Sequence, residues 1–498
     1  MEGAALMVRG TVGGLLLLFG CSLQRVESGG TVVNDLHSRL NSTRVESVVK
    51  PATIPEIQDV VRTAKKGKKG ISIAGGRHAM GGQQFGTDTL LIDMSGMKKV
   101  LGFDSQNGLI EVEAGIQWPA LVEYLLQAQK GQWPQWGIVQ KQTGADRLTI
   151  GGALSANIHG RGLRLKPFVS DVDSFTLVDT DGNLLTCSRT ENHELFRLAA
   201  GGYGLFGVIA TARIRLAPRK KLERVVQVIS IKELGPLFER RMAEGYLFGD
   251  FQYSIEHDSE GFLRKGLFSC YRPVDDNMPI AGEQKELAAA DWDNLYFLAH
   301  TDKKKAFERY SSYYLSTSGQ LYWSDLHQMS VYNDNYHEAL DRRLGARVKG
   351  TEMITEVYVT RDKLADFMEE VRKEFMEKKI PVIYGTIRLI EKDDETFLPW
   401  ARDRYACVIF NLHVDHTPEG LDRAVDAFRF LIDTSLNHGG NYYLTYHRWA
   451  TRKQILAGYP QFVEFLRLKR KFDPEERFQS DWYRHYREMF SAELNEGR

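Results

Sequence analysis

The sequence predicts a protein of the α+β class, large enough for two or three domains. Segments that alternate apolar and polar residues, as strands do, are interspersed with segments of helical spacing along 498 residues. Three glycine-rich loops lie between the strand-like segments of the first half. None of them has the G-x-G-x-x-G spacing that opens a helix or a Gly-Lys-Ser/Thr sequence, so neither a Rossmann domain nor a P-loop domain is predicted.

The elements of the first half follow from local signals. Thr53 can cap a helix that carries apolar residues at helical spacing from Ile54 to Ala64 and ends near Gly70. Alternation predicts strands at 71–74, 90–94 and 109–114, and a helix is predicted after them at 118–129. A strand over 174–179 runs into Asp181-Gly182, a dipeptide typical of a tight hairpin turn.

A second domain is predicted after the boundary at Pro218-Arg-Lys-Lys221. Its strands are predicted at 353–359, 382–390 and 405–414, and an amphipathic helix is predicted over 361–378. This order suits an antiparallel sheet that is covered by helices.

The first glycine-rich loop, Ile73-Ala-Gly-Gly-Arg-His-Ala-Met-Gly-Gly-Gln83, is the most informative segment. Glycines let backbone N–H groups approach an anion such as a pyrophosphate. His78 stands at the centre of the loop, and an imidazole placed beside a dinucleotide is the nucleophile that a covalently tethered flavin needs. The alternative is a glycine-rich turn with an incidental histidine.

Two further segments add to this loop. One is Gly144-Ala-Asp-Arg-Leu-Thr-Ile-Gly-Gly-Ala-Leu-Ser-Ala-Asn-Ile-His-Gly-Arg-Gly162, and the other is Ala200-Gly-Gly-Tyr-Gly-Leu-Phe-Gly-Val-Ile209. Three such loops within about one domain length predict a dinucleotide that is enclosed from several sides.

These motifs, in this order, resemble the flavin-binding domain of the vanillyl-alcohol oxidase / p-cresol methylhydroxylase superfamily. The matching segments are the helix and its approach at 48–61, the His78 loop, 91–95, 112–118, 151–160 and 201–207. The resemblance implies a PCMH-type FAD-binding domain over 43–218. It implies covalent FAD through His78, although Arg77 replaces the glycine that usually precedes the histidine. The cofactor-binding residues that it implies are Gly75, Gly76, Arg77, His78, Ala79, Gly82, Gln83, Thr149, Gly152, Asn157, Ile158, His159 and Ile209.

Residues 219–440 resemble the substrate domain of the sugar and alditol oxidases of this superfamily. In alditol oxidases a strand offers a glutamate and an arginine, two residues apart, to the substrate. The matching positions here are Thr386 and Arg388, so the arginine is kept and the acidic residue is absent. The resemblance implies that both bind substrate, and their spacing allows this, because residues two apart share one face of a strand. The alternative for Arg388 is a surface or interdomain ion pair.

Residues 441–498 resemble the C-terminal segment that returns to the flavin domain in the same family. In the decaprenylphosphoryl-ribose oxidases and alditol oxidases a lysine faces the flavin at about the position of Tyr446. This chain has Tyr446 and His447, and either side chain is suited to take a hydroxyl proton. The expected catalytic residues are therefore Tyr446, His447 and Arg388.

The resemblance implies an oxidoreductase that takes a hydride from the CH–OH group of a sugar, polyol, aldonolactone or sugar-lipid to flavin N5. Oxygen or another acceptor would reoxidise the flavin. Two alternatives stay open. One is a dehydrogenase or reductase acting on C–N or C=C bonds, since cytokinin dehydrogenases and sterol side-chain reductases share the flavin domain. The other is a non-catalytic flavin-binding envelope lipoprotein.

Composition excludes some partners. Lys+Arg and Asp+Glu each number 65, so no net charge attracts nucleic acid. The 4 cysteines are far apart and show no C-x-x-C pair, so no metal site is predicted.

The N-terminus carries an apolar run, Thr11–Gly20, that ends at Cys21. The run fits the central region of a signal peptide, and Leu18-Phe-Gly-Cys21 resembles a lipobox. Residues 1–26 are therefore predicted to be a signal or lipoprotein segment, which implies a periplasmic or membrane-anchored protein with a possible membrane tether. A mis-assigned start codon would instead imply a cytoplasmic protein.

Overall fold

The computed structural model describes residues 30–330 and 335–495. The predicted signal or lipoprotein segment, with Cys21, lies outside the described residues, so export stays a prediction. Within the described ranges, no helix has both the length and the apolar character needed to cross a membrane.

The first half contains short strands and helices around three sheets. Its elements are β1 (Thr31–Val33), β2 (Thr43–Val45), β3 (Ser47–Val49), α1 (Ile54–Lys66), β4 (Ile71–Ala74), β5 (Leu90–Asp93), β6 (Val100–Asp104), β7 (Leu109–Glu113), α2 (Trp118–Ala128), β8 (Trp136–Ile138), α3 (Ile150–Ala156), β9 (Val172–Val178), β10 (Leu184–Ser188), α4 (His193–Ala199) and β11 (Val208–Pro218).

The second half contains longer strands. Its elements are β12 (Lys221–Ser230), α5 (Ile231–Ala243), β13 (Phe248–Tyr253), β14 (Lys265–Pro273), α6 (Ala289–Thr301), α7 (Lys303–Ser316), β15 (Leu321–Trp323), α8 (Tyr336–Leu344), β16 (Gly350–Thr360), α9 (Leu364–Glu377), β17 (Val382–Ile390), β18 (Tyr405–Asp415), α10 (Pro418–Asn437), β19 (Asn441–Tyr442), α11 (Arg452–Gly458), α12 (Phe462–Phe472), α13 (Asp481–Met489) and α14 (Ser491–Asn495).

The strands of the first half form a two-stranded antiparallel sheet of β1 and β2 and a parallel sheet in the order β3-β5-β4. The third sheet is antiparallel, in the order β10-β9-β11-β7-β6, and β8 also pairs with β11. Helix α1 begins after Thr53, whose side chain accepts a hydrogen bond from the Glu56 N–H, as the sequence predicts. The mixture of helices with parallel and antiparallel sheets confirms the α+β class.

One local structure differs from the prediction. The second glycine-rich segment, expected to be a loop, contains the helix α3. Its two glycines are poor helix formers, but Thr149 Oγ1 accepts a hydrogen bond from the Gly152 N–H and Asn157 ends the helix in a left-handed conformation with φ 49°. A Cβ on Gly151 would lie 2.8 Å from the Ala114 Cβ, so the helix backbone packs directly on the loop after β7.

The second half forms an eight-stranded antiparallel sheet in the order β15-β12-β14-β13-β17-β18-β16-β19. Helices α5, α9 and α10 cover one face. Apolar residues point toward these helices, as when Phe238 of α5 meets Phe268 of β14 and Phe375 of α9 meets Phe410 of β18. Because side chains alternate along a strand, the residues between them face the other side of the sheet.

The C-terminal part of the chain returns to the first half. Phe478 bridges Ile71 in parallel, and the Gln479 N–H donates to the Ile71 carbonyl at 2.7 Å, which adds a strand-like pairing beside β4. Near the start of the C-terminal segment, the Leu444 carbonyl accepts a hydrogen bond from the Gln83 side chain at 2.7 Å. The first glycine-rich loop is therefore held by the C-terminal segment.

Candidate active site

A cavity of about 1270 Å³ lies between the glycine-rich loops and the face of the eight-stranded sheet that is opposite α5, α9 and α10. It exceeds the roughly 300–1,000 Å³ of an ordinary small-molecule pocket, so an extended cofactor and a second molecule can share it. Most of the residues predicted from the sequence line this cavity. They are Gly75, Gly76, Arg77, His78, Ala79, Gln83, Thr149, Gly152, Ile158, Ile209, Thr386, Arg388 and Tyr446.

His78 is held at the cavity wall by the first loop. Arg77, just before it, has a φ of 59°, the left-handed conformation that turns the chain sharply. His78 Nδ1 lies 2.8 Å from His37 Nε2, so the two rings share a hydrogen bond. Burial, and next the neighbouring His37, lower the pKa of His78 to about 3. The imidazole is therefore neutral at neutral pH, which is the nucleophilic form.

Gly75 and Gly76 line the cavity, and the packing of the chain itself also requires that they lack a side chain. A Cβ on Gly75 would lie 2.1 Å from Thr149 Oγ1, and one on Gly76 would lie 2.3 Å from the Arg147 carbonyl oxygen. These glycines therefore allow the first and second loops to pack against each other. The approach to a ligand belongs to Gly152, where a Cβ would meet only Thr149 Oγ1, at 3.0 Å, and would otherwise face the cavity.

The third loop closes another side of the cavity. Gly204 and Gly207 line it, and their φ angles of 75° and 147° are ones that L side chains rarely adopt. Tyr203, which directly precedes Gly204, is buried and lines the cavity as well. Ile209 follows at the start of β11, so all three glycine-rich segments converge on one space, as the sequence predicts.

Four predicted site residues, Gly82, Asn157, His159 and His447, do not line the cavity. Asn157 donates to Asp393 Oδ2 at 3.0 Å and accepts from the Val169 N–H at 2.9 Å, which is a structural role. His447 packs against the rings of Phe428 and Trp449, whose centroids are 4.9 and 5.6 Å from the centroid of its own ring. Burial lowers its pKa to about 3.

His159 lies one layer behind the cavity, where it contacts a residue that the sequence did not single out. Its Nε2 is 2.7 Å from Oε1 of Glu356, a fully buried residue on β16. Tyr358 also donates to Glu356 Oε1, and the Tyr446 hydroxyl donates to Oε2 at 3.4 Å. Burial raises the pKa of Glu356, but His159, Tyr358 and Arg388 outweigh it and bring the pKa below its ordinary value.

The polar wall of the cavity lies on β17. Arg388 is 5% exposed and Thr386 is fully buried. Within the part of the chain that the structure describes, Arg388 Nε and Nη1 and Thr386 Oγ1 have no hydrogen-bond partner. The two-residue spacing places both side chains on the cavity face, as predicted. Among residues 30–330 and 335–495, Arg388 does not form the surface or interdomain ion pair that was considered for it.

Sequence reasoning missed other residues that face the cavity. Asp250 and Gln252 lie on the neighbouring strand β13, and the signal that could have revealed them is two polar residues at alternate positions of an otherwise apolar strand, Phe248–Tyr253. Aromatic residues of α7, β15 and α8 also line the cavity, namely Tyr310, Tyr313, Tyr314, Tyr322, Trp323 and Tyr336.

Two groups of side chains could geometrically hold a metal ion, with ligand atoms within 4.8 Å of one another. They are His159, Glu356 and Cys407, and His300, Glu352 and His413. In both, the carboxylate already accepts hydrogen bonds from its neighbours. Burial also raises the pKa of the Cys407 thiol, which disfavours the thiolate that a metal needs. Hydrogen bonding accounts for both groups, and the absence of a metal site stays a prediction.

Comparison with known proteins bears on the cofactor. Residues 45–188 match the family described as the FAD binding domain. The chain is 23% identical over 444 residues to an L-gulono-1,4-lactone dehydrogenase of Mycobacterium tuberculosis, covering 88% of this chain and 95% of that protein. It is 28% identical over 190 residues to the L-gulonolactone oxidase of Bos taurus, 38% of this chain and 41% of the relative. It is 33% identical over 178 residues to cytokinin dehydrogenase 3 of Oryza sativa, 34% of this chain and 32% of the relative.

Proposed function

The chain is an FAD-dependent oxidoreductase of the flavoprotein superfamily that carries a PCMH-type FAD-binding domain, and we propose that its donor is the CH–OH group of a sugar, polyol, aldonolactone or sugar-lipid. Among these donors, the names of the gulonolactone relatives favour an aldonolactone. The proposal rests on the chemistry of the cavity wall opposite the glycine-rich loops.

The residues of the first half fit FAD. Gly152 leaves open space at the start of α3, Gly204 and Ile209 border the same space, and His78 faces it from the first loop. FAD supplies an oxidised ring that accepts a hydride from carbon. The glycine-rich segments would hold its pyrophosphate, and the chain's C-terminal segment would complete the site, because Thr445 and Tyr446 line the cavity.

The observation that carries the proposal is the set of unsatisfied polar atoms on β17. Leaving a buried donor or acceptor without a partner costs about 1–3 kcal/mol, and more for a charged group. Arg388 and Thr386 together present three such atoms to the cavity. A donor with several hydroxyl or carbonyl oxygens satisfies them, whereas an apolar donor leaves them unpaired. The wall therefore favours an oxygen-rich donor.

Tyr446 is placed to handle the hydroxyl proton. Burial, and next the carboxylate of Glu356, raise its pKa well above the ordinary value, so its phenol keeps its proton. Tyr446 acts as a relay: it accepts the proton of the donor hydroxyl while its own proton passes to Glu356 Oε2, 3.4 Å away. His447, which faces Phe428 and Trp449, takes no part in this transfer.

Anaerobic bleaching of the flavin tests the function. The wild-type protein is mixed with alditols, aldonolactones, aldoses, amines and sterols, and Arg388→Ala and Tyr446→Phe are measured beside it. We expect bleaching by polyhydroxylated donors, with rates roughly 10²-fold lower or more in Tyr446→Phe. Admission of air afterwards distinguishes oxygen, through peroxide formation, from another acceptor.

Two results would contradict the proposal. Bleaching by amines or apolar donors alone would favour the C–N or C=C alternative, which the cytokinin dehydrogenase relatives keep open. Bleaching by no donor, in protein that carries its flavin, would favour a non-catalytic flavin-binding role.

A further inference from the structure

The polar wall on β17 continues onto the next strand. Phe251 of β13 pairs with Ile387 of β17 in antiparallel register. In such a pair the flanking residues are also opposite each other, so Asp250 lies across from Arg388 and Gln252 lies across from Thr386. Opposed side chains in a sheet have Cβ atoms about 4.5–5.5 Å apart. All four line the cavity, while Phe251 and Ile387 point toward the helices on the other face.

The two residues of β13 carry unsatisfied atoms of the complementary kind. Asp250 is 3% exposed and Gln252 is 8% exposed. Among the described residues, Asp250 Oδ1 and Gln252 Oε1 have no hydrogen-bond partner. Both are acceptors, whereas the unsatisfied atoms of Arg388 are donors. A patch of four neighbouring side chains therefore offers acceptors on one strand and donors on the other.

The other buried carboxylate near this wall is already engaged. Glu356 receives its hydrogen bonds from His159, Tyr358 and Tyr446. Asp250 is different, because its Oδ2 has one long hydrogen bond, from Gln252 at 3.4 Å, and its Oδ1 has none. Its nearest cation is Arg161, whose Nη1 is 3.7 Å from Oδ1, beyond hydrogen-bond distance.

We propose that Asp250 is a substrate-binding residue that accepts a hydrogen bond from a donor hydroxyl, with Gln252 beside it, and that it supplies from β13 the carboxylate that is absent from position 386. This inference rests on the proposed function and narrows the substrate class. A hydroxyl both donates and accepts, so one hydroxyl bridges Asp250 and Arg388. An ionised carboxylate has no proton to donate to Asp250, and an ammonium group cannot accept from Arg388. The site therefore selects a neutral polyhydroxylated donor, such as a lactone, over the aldonate formed by its hydrolysis.

The alternative role for Asp250 is to balance the charge of Arg161, and a kinetic cycle separates the two roles. The best neutral donor found for the wild-type protein is compared with its monodeoxy analogues and its carboxylate form, for wild type and for Asp250→Asn. A carboxylate that binds a hydroxyl should give a 10- to 100-fold lower kcat/KM for the parent donor on substitution. The deoxy analogue that lacks this hydroxyl should lose less than about threefold on the same substitution, because the contact is already gone.

Additional variants control for damage to the fold. The double variant Asp250→Asn/Thr386→Glu moves the carboxylate to the opposite strand. Its kcat/KM for the parent donor should be at least tenfold higher than that of Asp250→Asn. Ser269→Ala is the matched control, since Ser269 is opposite Asp250 in β14 and equally buried, but does not line the cavity. It should keep kcat/KM within about twofold. If Asp250→Asn does not load flavin, Gln252→Leu enters the same cycle.

The outcomes separate this inference from the function. Equal losses for the parent and every deoxy analogue, or no loss for any donor, would overturn the role of Asp250 while the function stands. A wild-type preference for the carboxylate form would overturn the substrate class. If no neutral hydroxylated donor bleaches the wild-type flavin, the proposed function falls, and this inference falls with it.

Discussion

At the residue scale, His78 combines a cavity-facing position with a ring that stays neutral because of burial and His37. We therefore expect FAD to be attached covalently to His78. Protein denatured in acid should keep a fluorescent flavin band in a gel, and His78→Ala should release its flavin into the supernatant. His193→Ala, at an exposed position outside the cavity, should keep the band. Free flavin in the supernatant of the wild-type protein would contradict the link.

His447 should make the protein sensitive to acid. Burial lowers its pKa to about 3, against an ordinary value near 6.5, so from pH 6.5 downward the unfolded chain binds a proton that the folded chain does not. The contribution is fully present above pH 6.5 and is lost as the pH falls toward 3. Between pH 6.5 and 4 the loss is about 3 kcal/mol of unfolding free energy.

Substitution of His447 tests this directly. The free energy of unfolding is measured by urea denaturation at several pH values. Between pH 6.5 and 4, the free energy of unfolding of His447→Phe should fall by about 3 kcal/mol less than that of the wild-type protein. The variant should also keep its turnover within a few fold, since His447 packs against Phe428 and Trp449 away from the cavity. An unchanged pH slope would contradict the buried neutral ring, and a loss of turnover like that of Tyr446→Phe would contradict the assignment of the base.

At the element scale, local signals predicted several helices and strands close to their observed bounds. The strand at 382–390 has the predicted bounds, and the helix predicted at 361–378 begins at Leu364 and ends at Glu377. These signals are the spacing of apolar residues along the element and the capping residues at its ends, both of which are local in the sequence. Helix α3 was missed because tertiary contact with Ala114 stabilises two glycines that disfavour a helix.

The same distinction applies to the site. Thr386 and Arg388 were predicted from the resemblance to the alditol oxidases, and their two-residue spacing on one strand, which is visible in the sequence, explains why they share a face. Asp250 and Gln252 were not, because their meeting with β17 depends on the pairing of Phe251 with Ile387, which no local pattern specifies. His159 was predicted, from its place in a motif, to contact the cofactor, but its ring forms a hydrogen bond with Glu356 on β16 instead. Contacts between distant segments are what the sequence did not reveal.

Helix α3 carries a prediction about cofactor content. A side chain at Gly152 would meet only Thr149 Oγ1 and then enter the cavity. Gly152→Val should therefore fold but carry little flavin, because the branched side chain fills the space that the glycine leaves. The ratio of flavin absorbance to protein absorbance measures this. Gly102→Val is the control, since nothing lies within 4 Å of a Cβ there and β6 is distant from the cavity lining. Full flavin in Gly152→Val would show that the cofactor is elsewhere.

At the scale of the whole molecule, the cavity is bounded by three stretches of chain that are far apart in sequence. The glycine-rich loops, the sheet face with Arg388 and the segment with Tyr446 each contribute a wall. One continuous apolar cluster joins them, since it includes Ile57 of α1, Phe410 of β18 and Trp482 of α13. Binding of flavin and integrity of the core are therefore coupled through the same contacts.

This coupling predicts a single unfolding transition. Flavin fluorescence and tryptophan fluorescence should change at the same urea concentration, since one large apolar cluster runs through both halves of the chain. Phe478→Ala should lower the free energy of unfolding by about 3–5 kcal/mol and shift both curves together to lower urea concentration. The reason is that Phe478 is fully buried where the C-terminal segment bridges Ile71. Leu101→Ala, at a residue 49% exposed on β6, should leave both curves in place. A flavin transition that precedes the tryptophan transition would show that the FAD-binding half opens independently, which would contradict the return of the C-terminal segment as the element that holds the first loop.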